Sequence, residues 1–310
     1  MTEITASLIK DLRETTGAGM MDCKKALVET AGNLEEATVW LRKKGLMAAG
    51  KKAGRVAAEG LVGVAVQGTR GAVVEVNAET DFVARNETFQ GFVTAATGAA
   101  LEGGVGTTPE SLATLPYPGT SGTVQEALTG MIATIGENMA LRRVEVVSVA
   151  QGLVVPYVHN ALGANRGKIG VLVALESAAE SSQLQALGKH LAMHIAATRP
   201  EALTVADLNP ATVARERDIA TDQAKTTGKP EAIIAKMVEG RLKKFYDESV
   251  LMEQISALDG ATRIADVVAQ AAKDAGTPIR VTRFVRYQVG EGIEKTQGPD
   301  FATEVASLAR

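Results

Sequence analysis

The stretch LVGVAVQGTRGAVVEVNAET, residues 61–80, decides the fold of this chain. In both halves of the stretch, valine and leucine alternate with small or polar residues, as in strands that bury one face. Between the two halves, Gly68, Thr69 and Arg70 supply a tight turn. The pattern therefore predicts a β-hairpin at this point of the chain.

Helical and extended patterns alternate after the hairpin. We expect a helix near 86–101, a loop rich in Gly, Pro and Thr over 103–122, a second helix at about 124–138, and then the strand RRVEVVSV (142–149). The order strand, strand, helix, helix, strand is typical of an α+β unit with an antiparallel sheet.

A weak internal echo predicts a second unit of the same kind. TRGAVVEVNAET (69–80) resembles NRGKIGVLVALES (165–177), and a glycine-led strand followed by an amphipathic helix is expected in each. A strand at about 281–289 would close the second unit. The sequence thus predicts an α+β core of two similar subdomains.

Upstream of the hairpin, the first 45 residues predict three short helices. Apolar residues recur there at spacings of three or four: Leu8 and Leu12, then Met20, Cys23 and Leu27, then Leu34, Ala37 and Leu41. Gly17 and Gly19 separate the first two helices, Asn33 with Glu36 starts the third, and Gly45 is expected to end it. Residues 45–60 are small and basic, which is typical of a linker.

The segment between the two parts of the second subdomain predicts a helical hairpin. Pro210 and Pro230 stand at expected helix starts, and Gly228 follows the first helix. Residues 300–310 predict one more short helix. The expected organisation is a helical module with its basic linker at 1–55, the first subdomain at 56–150, the second at 151–206 and 247–292, the hairpin at 207–246, and a C-terminal module at 293–310.

Composition excludes several classes of protein. The 310 residues carry a net charge of -3 and 4% aromatic residues, so binding to a nucleic acid backbone or by base stacking has little support. No apolar run approaches the length of a membrane span. The start lacks a secretory signal pattern, and Cys23, the single cysteine, cannot form an internal disulfide. We therefore expect a cytoplasmic protein.

The sequence offers little for covalent catalysis or for a metal. His190 and His194 lie four residues apart in HLAMH, but this stretch lacks the glutamate of a zinc-peptidase helix and a third ligand. The favoured interpretation places His194 in or beside the core and His190 towards solvent. Phosphate loops, dinucleotide fingerprints and nucleophile elbows are missing from the pattern. We expect no catalytic residues, no metal and no cofactor.

Two segments stand out as candidate binding surfaces. In TGAGMMDCKKAL (16–27), adjacent Met20 and Met21 cannot face a thin core equally, so one of them is expected to be exposed for a partner, unless both wrap the core. In NAETDFVARN (77–86), Phe82 beside Asp81 is suited to act as a wedge. The alternative is that Asp81 caps the next helix while Phe82 covers the sheet edge.

With these segments in view, the chain resembles the bacterial elongation factor Ts family, the guanine nucleotide exchange factors of elongation factor Tu. The matching segments run in family order over nearly the whole length: LRETTGAGMMDCKKAL, KKAGRVAAEG, VEVNAETDFVARNETF, IGENMALRR, KIGVLVAL, MHIAA, KMVEGRLKKF and VGEGIEK. The resemblance implies a ubiquitin-associated-like three-helix domain, a two-subdomain core, an inserted antiparallel coiled-coil hairpin and a C-terminal helix.

The resemblance also implies a function and the residues that perform it. The chain would bind elongation factor Tu in its GDP and nucleotide-free forms and release GDP without a covalent step or any cofactor of its own. Three regions would bind the partner. They are Leu12, Met20, Met21 and Lys24 in the helical module, and Ile135, Gly136, Glu137 and Asn138 in IGEN. The third is His159, which would touch the far side of the partner. Thr80, Asp81, Phe82 and Val83 would dislodge the partner's Mg²⁺.

Three stretches depart from the family pattern. NALGANRGKIG (160–170) after His159 is longer than expected, VLMEQISALDG (250–260) lacks the usual Pro-Phe, and the 103–122 loop is longer than the family minimum.

A monomer, a homodimer and a 2:2 complex with the partner all remain open. The competing hypotheses are an RNA- or ribosome-binding module that uses the basic residues of 43–55, and a hydrolase built around His190 and His194.

Overall fold

The computed structural model describes residues 4–16 and 18–294. The helices are α1 (Ala6–Thr16), α2 (Met20–Glu29), α3 (Leu34–Lys52), α4 (Asp81–Ala84), α5 (Glu87–Gly103), α6 (Pro109–Thr114), α7 (Val124–Ile135), α8 (Ser181–Thr198), α9 (Pro210–Lys225), α10 (Glu231–Ser249) and α11 (Ile264–Ala275). The strands are β1 (Glu59–Gln67), β2 (Arg70–Ala78), β3 (Met139–Ser148), β4 (Gly152–Ala161), β5 (Arg166–Glu176) and β6 (Arg280–Gln288). The helix predicted at 300–310 and the predicted break at Gly17 lie outside the described residues.

The predicted α+β class with antiparallel pairing is confirmed. β1 and β2 form the expected hairpin, in which Gln67 pairs with Arg70 and Gly68 has a positive φ of 58°. β3 extends this hairpin, and β4, β5 and β6 form a second antiparallel group. The echoed strands β2 and β5 each occupy the centre of their group, since each pairs along its length with two neighbours.

The two groups are joined into one six-stranded sheet. β1 pairs with the start of β5 through only two residue pairs, Val62 with Gly167 and Gly63 with Arg166. Beyond that joint, β6 pairs with the same edge of β5, from Ile169 to Glu176. The two groups therefore share few backbone pairs, and each packs its own helices on one face.

Three apolar clusters hold this sheet and its helices together. The first lies between β1–β3 and the helices α5 and α7, and the second lies between β4–β6 and the helices α8 and α11. The third, around Val62, Val73, Val154 and Leu172, combines residues of both groups on the other face of the sheet. The sheet therefore curls so that one face of each group meets the other.

The N-terminal module consists of the three predicted helices around a small core of Leu12, Cys23, Ala26, Leu27 and Ala37. The predicted start of α3 is confirmed, because the Asn33 side chain accepts hydrogen bonds from the backbone N–H groups of Glu35 (3.0 Å) and Glu36 (3.1 Å).

The predicted end of α3 at Gly45 is wrong, since the helix continues to Lys52. Gly45 faces α7, where an added Cβ would lie 3.5 Å from Thr129 Cγ2. Packing against α7 offsets the cost of an internal glycine, and Lys51 and Lys52 suit the negative end of the helix dipole. The first half of the expected linker is therefore helix.

The loop expected at 103–122 is also partly helical. It contains α6, which begins with a capping box in which Thr108 and Ser111 bond each other's backbone N–H groups. Thr108 precedes Pro109, which is well placed in a first helical turn.

The helical hairpin is formed by α9 and α10, which pack through Ala220, Ala224, Val238 and Leu242. Its base is tied together, because Ala202 bridges to Val250 and the N–H of Leu251 donates to Ala202 O at 2.9 Å. The chain thus enters and leaves the hairpin at the same place.

Candidate functional site

The end of β2 presents an exposed aromatic ring. The ladder between β2 and β3 ends at the pair Ala78 and Met139, and the chain then turns through Thr80 into the four-residue helix α4. Phe82 is 77% exposed, so it does not cover the sheet edge. Val83, directly after it, is buried in the first cluster and anchors the turn.

Asp81 lies beside the ring at the start of α4. Its carboxylate is about half exposed and pairs with Arg85 at 3.4 Å, one turn further along. Thr80 occupies the N-cap position, but no side chain bonds the free N–H groups of this helix end. An exposed carboxylate and an exposed ring therefore stand together on one short turn.

The segment IGEN folds against this turn. Gly136 ends α7 in the left-handed conformation (φ 90°), which a residue with a side chain adopts only at a cost, and so directs Glu137 back towards β2. Both carboxylate oxygens of Glu137 accept hydrogen bonds from Thr80, Oε2 from its N–H (3.0 Å) and Oε1 from its hydroxyl (2.8 Å). Ile135 is half-buried against the first cluster.

Two residues outside TDFV and IGEN, Glu79 and Arg55, complete this arrangement. Glu79 Oε1 accepts the backbone N–H of Asn138 at 2.5 Å, and Arg55 Nη1 contacts the same carboxylate oxygen at 3.4 Å. Asn138 Nδ2 donates to the backbone carbonyl of Arg55 at 2.7 Å. These bonds join residues far apart in the sequence, so periodicity carried no signal for them.

The N-terminal module presents a second apolar surface. Met20 and Met21 are 61% and 75% exposed, so both methionines face solvent rather than one. Lys24 is also exposed, one turn further along α2. Leu12 is only 1% exposed, and the partner contact that the resemblance implies for it stays a prediction. It packs in the module core, where it supports α2.

The module is attached to the helix that leads into IGEN. Arg42 of α3 forms an ion pair with Glu126 of α7, and Lys52 Nζ donates to the carbonyl of Ile132 at 3.5 Å. The structure thus connects the exposed methionines to the turn at Phe82 through α3 and α7.

His159 lies apart from these groups. It is exposed near the end of β4, in the other half of the sheet, and its Nδ1 lies 3.2 Å from the hydroxyl of Tyr157. The structure therefore brings the TDFV and IGEN residues together but leaves His159 on a separate surface.

The histidine pair and the cysteine serve structural roles. His194 is fully buried, its Nε2 lies 2.8 Å from Gln254 Oε1, and its Nδ1 accepts the N–H of Ala257 at 3.0 Å. The expectation that His190 faces solvent is wrong. Its side chain is half-buried and lies 2.9 Å from the hydroxyl of Ser256. Burial raises the pKa of the Cys23 thiol, which makes it a poor nucleophile.

Within residues 4–16 and 18–294, no group of three or more His, Cys, Asp or Glu side chains is arranged to hold a metal ion. No helix in these ranges has the length and apolar character needed to cross a membrane.

Comparison with known proteins gives the family. The family model described as elongation factor TS matches residues 79–291, which includes TDFV, IGEN and His159. The chain belongs to the elongation factor Ts family. It is 60% identical to elongation factor Ts of Rhodospirillum centenum over 309 residues, with all of both chains covered. It is 58% identical to elongation factor Ts of Rhodospirillum rubrum, with 99% of each chain covered, and 58% identical to that of Sphingopyxis alaskensis, with 100% of this chain and 99% of the relative covered.

Membership of the elongation factor Ts family makes this chain a translation elongation factor. The relatives are covered over nearly their full length, so the three-helix module and the helical hairpin lie within the matched region as well. The resemblance that the sequence motifs carry is confirmed.

Proposed function

We propose that this protein binds elongation factor Tu in its GDP form and accelerates the release of GDP. The observation that carries the proposal is Phe82, a ring held 77% exposed on a turn that is hydrogen-bonded from both sides. An exposed aromatic side chain contributes little to the stability of its own fold, and it suits insertion into a partner.

Exchange follows from thermodynamic linkage. If the factor binds the nucleotide-free partner far more tightly than the GDP form, it weakens GDP binding by the same ratio. In proteins that bind GDP and GTP, as the partner does, a backbone cradle, a lysine and Mg²⁺ hold the phosphates. Phe82, inserted between helices beside the partner's Mg²⁺ site, displaces the groups that hold the ion, and Asp81 accompanies it. The protein itself forms and breaks no covalent bond and holds no cofactor.

Three surfaces share the binding. Met20, Met21 and Lys24 contact the nucleotide-binding domain of the partner, and the mobile thioethers of the two methionines adapt to its surface. The turn at Phe82, with IGEN beside it, meets the nucleotide site. His159 touches the far side of the partner. Translation in bacteria takes place in the cytoplasm, and we place the protein there.

Three of the five basic residues at 43–55 have partners within the fold, which favours exchange over RNA binding. Lys44 pairs with Asp22, Lys52 donates to a backbone carbonyl of α7, and Arg55 contacts Glu79. Cations committed to internal partners contribute less to a surface that attracts phosphates.

The test is the release of a fluorescent GDP analogue from purified elongation factor Tu, with this protein in sub-stoichiometric amount. We expect a large acceleration with turnover. Phe82→Ala should lower the exchange rate about tenfold or more, as for an aromatic anchor at the centre of an interface, without lowering the melting temperature.

Val105→Ala is the matched control for this experiment. Val105 is 62% exposed, in the loop after the far end of α5, so the variant removes an exposed apolar side chain away from the turn. It should exchange like the unmodified protein. A correctly folded protein that leaves GDP release at its spontaneous rate contradicts the proposed function.

A further inference from the structure

The carboxylate of Glu137 is turned inward, onto the chain's own backbone. Thr80 donates to both of its oxygens, with the N–H at 3.0 Å from Oε2 and the hydroxyl at 2.8 Å from Oε1. Hydrogen bonds to a charged acceptor are stronger than neutral ones. A carboxylate engaged in this way is poorly placed to serve mainly as a contact for another protein.

The bond between Thr80 and Glu137 has a counterpart in the opposite direction. Glu79 Oε1 accepts the N–H of Asn138, so each of two adjacent residues at the end of β2 bonds one of two adjacent residues before β3. The last backbone pair of the two strands is Ala78 with Met139. These side-chain bonds therefore continue the antiparallel pairing by two further residue pairs, up to the start of α4.

The helix that carries Phe82 depends on this support. α4 has four residues, too few for a helix to be stable by itself. Its N-cap residue is Thr80, whose hydroxyl bonds Glu137 and makes no bond to the helix N–H groups. The direction of Phe82 is thus fixed on one side by buried Val83 and on the other by the bond between Thr80 and Glu137.

We propose that Glu137 is a positioning residue for exchange, which holds Thr80 so that Phe82 points at the partner, rather than a residue that itself contacts the partner. This inference rests on the proposed exchange function and assigns the side chain of Glu137 a different task within it.

The first test compares Glu137→Ala with Glu137→Gln in the GDP-release assay. Alanine removes both hydrogen bonds, and we expect the maximal exchange rate to fall about tenfold, the factor that corresponds to one net hydrogen bond to a charged group. KM for the GDP form of the partner should stay about the same, because the methionine and His159 surfaces are unchanged.

Glutamine separates positioning from a charge contact with the partner. Its oxygen accepts the N–H of Thr80 and its amide donates to the Thr80 hydroxyl, so Glu137→Gln should retain most of the exchange rate. A contact that needs the negative charge would be lost in both variants. Equal losses in Glu137→Gln and Glu137→Ala therefore overturn the proposal.

A double-mutant cycle tests whether the effect passes through Thr80. Thr80→Val removes the hydroxyl and keeps the β-branched shape. In that background Glu137→Ala should cost less exchange rate than in the unmodified protein, by about threefold or more, because the two residues act as one unit. An undiminished effect would mean that Glu137 acts independently of the Thr80 hydroxyl, against the proposal.

Asp207→Ala is the matched control, because Asp207 accepts the N–H (2.9 Å) and the hydroxyl (2.6 Å) of Thr204 in the same manner, in the segment between α8 and α9. It should leave exchange unchanged. An unmodified protein without exchange activity overturns the proposed function itself. An active protein in which Glu137→Ala is harmless overturns only the positioning role.

Discussion

Glu75 is a charged residue with no exposed surface in the middle of β2. Arg142 Nη1 lies 3.0 Å and Arg143 Nε 2.5 Å from its carboxylate, which also accepts the N–H of Gly290 at 2.8 Å. A buried charge is tolerated only where such partners surround it, and here they tie the chain after β6 to the first subdomain.

Removing this carboxylate should therefore be costly. We expect Glu75→Ala to lower the free energy of unfolding by about 3–5 kcal/mol, because two partly buried arginines lose the buried carboxylate that pairs with both of them. Urea unfolding measures the change. Glu14→Ala is the control: Glu14 pairs with Lys10 on the exposed face of α1, and its loss should cost less than about 1 kcal/mol. Equal costs for the two variants would contradict this account of Glu75.

His194 should make stability depend on pH. Burial lowers its pKa, the hydrogen bond to Gln254 offsets part of this, and His190 adds a smaller lowering. The unfolded chain, with a histidine pKa near 6.5, then binds the proton more readily than the folded one. The contribution to stability is complete above that pH and is lost as the pH falls below it.

The measurement is the urea midpoint at about pH 8 and about pH 5.5. We expect the unmodified protein to lose stability at the lower pH, and His194→Gln to show a smaller change across the same interval. His159→Gln, which removes an exposed histidine, should keep the pH dependence of the unmodified protein. An identical pH dependence in His194→Gln would contradict the role of His194.

Among the candidate site residues, the sequence indicated which positions to inspect but not all of their environments. The core face of α2 is filled by Cys23, Ala26 and Leu27, and this leaves both Met20 and Met21 outside a core too thin to reach them. The partners of Thr80 and Asn138 could not be predicted, because hydrogen bonds between positions so far apart follow from the folded geometry.

At the scale of elements, glycines distinguish close packing from open surface. Within α8, Gly188 faces Val155 of β4, and an added Cβ would lie 2.3 Å from Val155 Cγ2. Within α10, an added Cβ at Gly240 would meet no atom within 4 Å. The same residue type therefore has opposite consequences in two helices.

We expect Gly188→Ala to lower the free energy of unfolding by about 1–3 kcal/mol, because the valine is β-branched and cannot move aside easily. Gly240→Ala should raise it by about 0.5–1 kcal/mol through better helix propensity. Thermal or urea unfolding of both variants gives the comparison. A stabilising Gly188→Ala would mean that α8 does not approach β4 this closely.

The end of α3 shows what a local pattern leaves undecided. A glycine within a basic, small-residue stretch predicts the end of a helix, but the opposing surface of α7 stabilises two further turns. The start of the same helix was predictable, because the Asn33 cap is made by neighbouring residues.

At the scale of the whole molecule, the helical hairpin is an insertion whose two ends lie next to each other. Its two ends meet at the bridge between Ala202 and Val250, and its own cluster lies along α9 and α10. We expect replacement of residues 216–241 by a short Gly-Ser linker to leave the circular dichroism of the remaining fold and its cooperative unfolding intact. The control is the same linker in place of residues 85–100, which removes most of α5 and should abolish cooperative unfolding. Loss of the cooperative transition in the first variant would contradict an independent hairpin.

Two antiparallel groups of strands could be predicted, because strand periodicity recurs in the sequence, whereas the subdomain bounds drawn from it stay a prediction. That the two groups share one sheet was not predictable, since the joint consists of two residue pairs between β1 and β5 without a pattern of their own.

That joint has a consequence for the order of folding during synthesis. The hairpins β1–β2 and β4–β5 close short loops and form early, whereas β6 reaches β5 only after the helical hairpin and α11 have left the ribosome. The apolar cluster between β1–β3 and the helices α5 and α7 can therefore form before β6 pairs with β5. A factor that serves translation thus completes its sheet only after the helical hairpin and α11 have been synthesised.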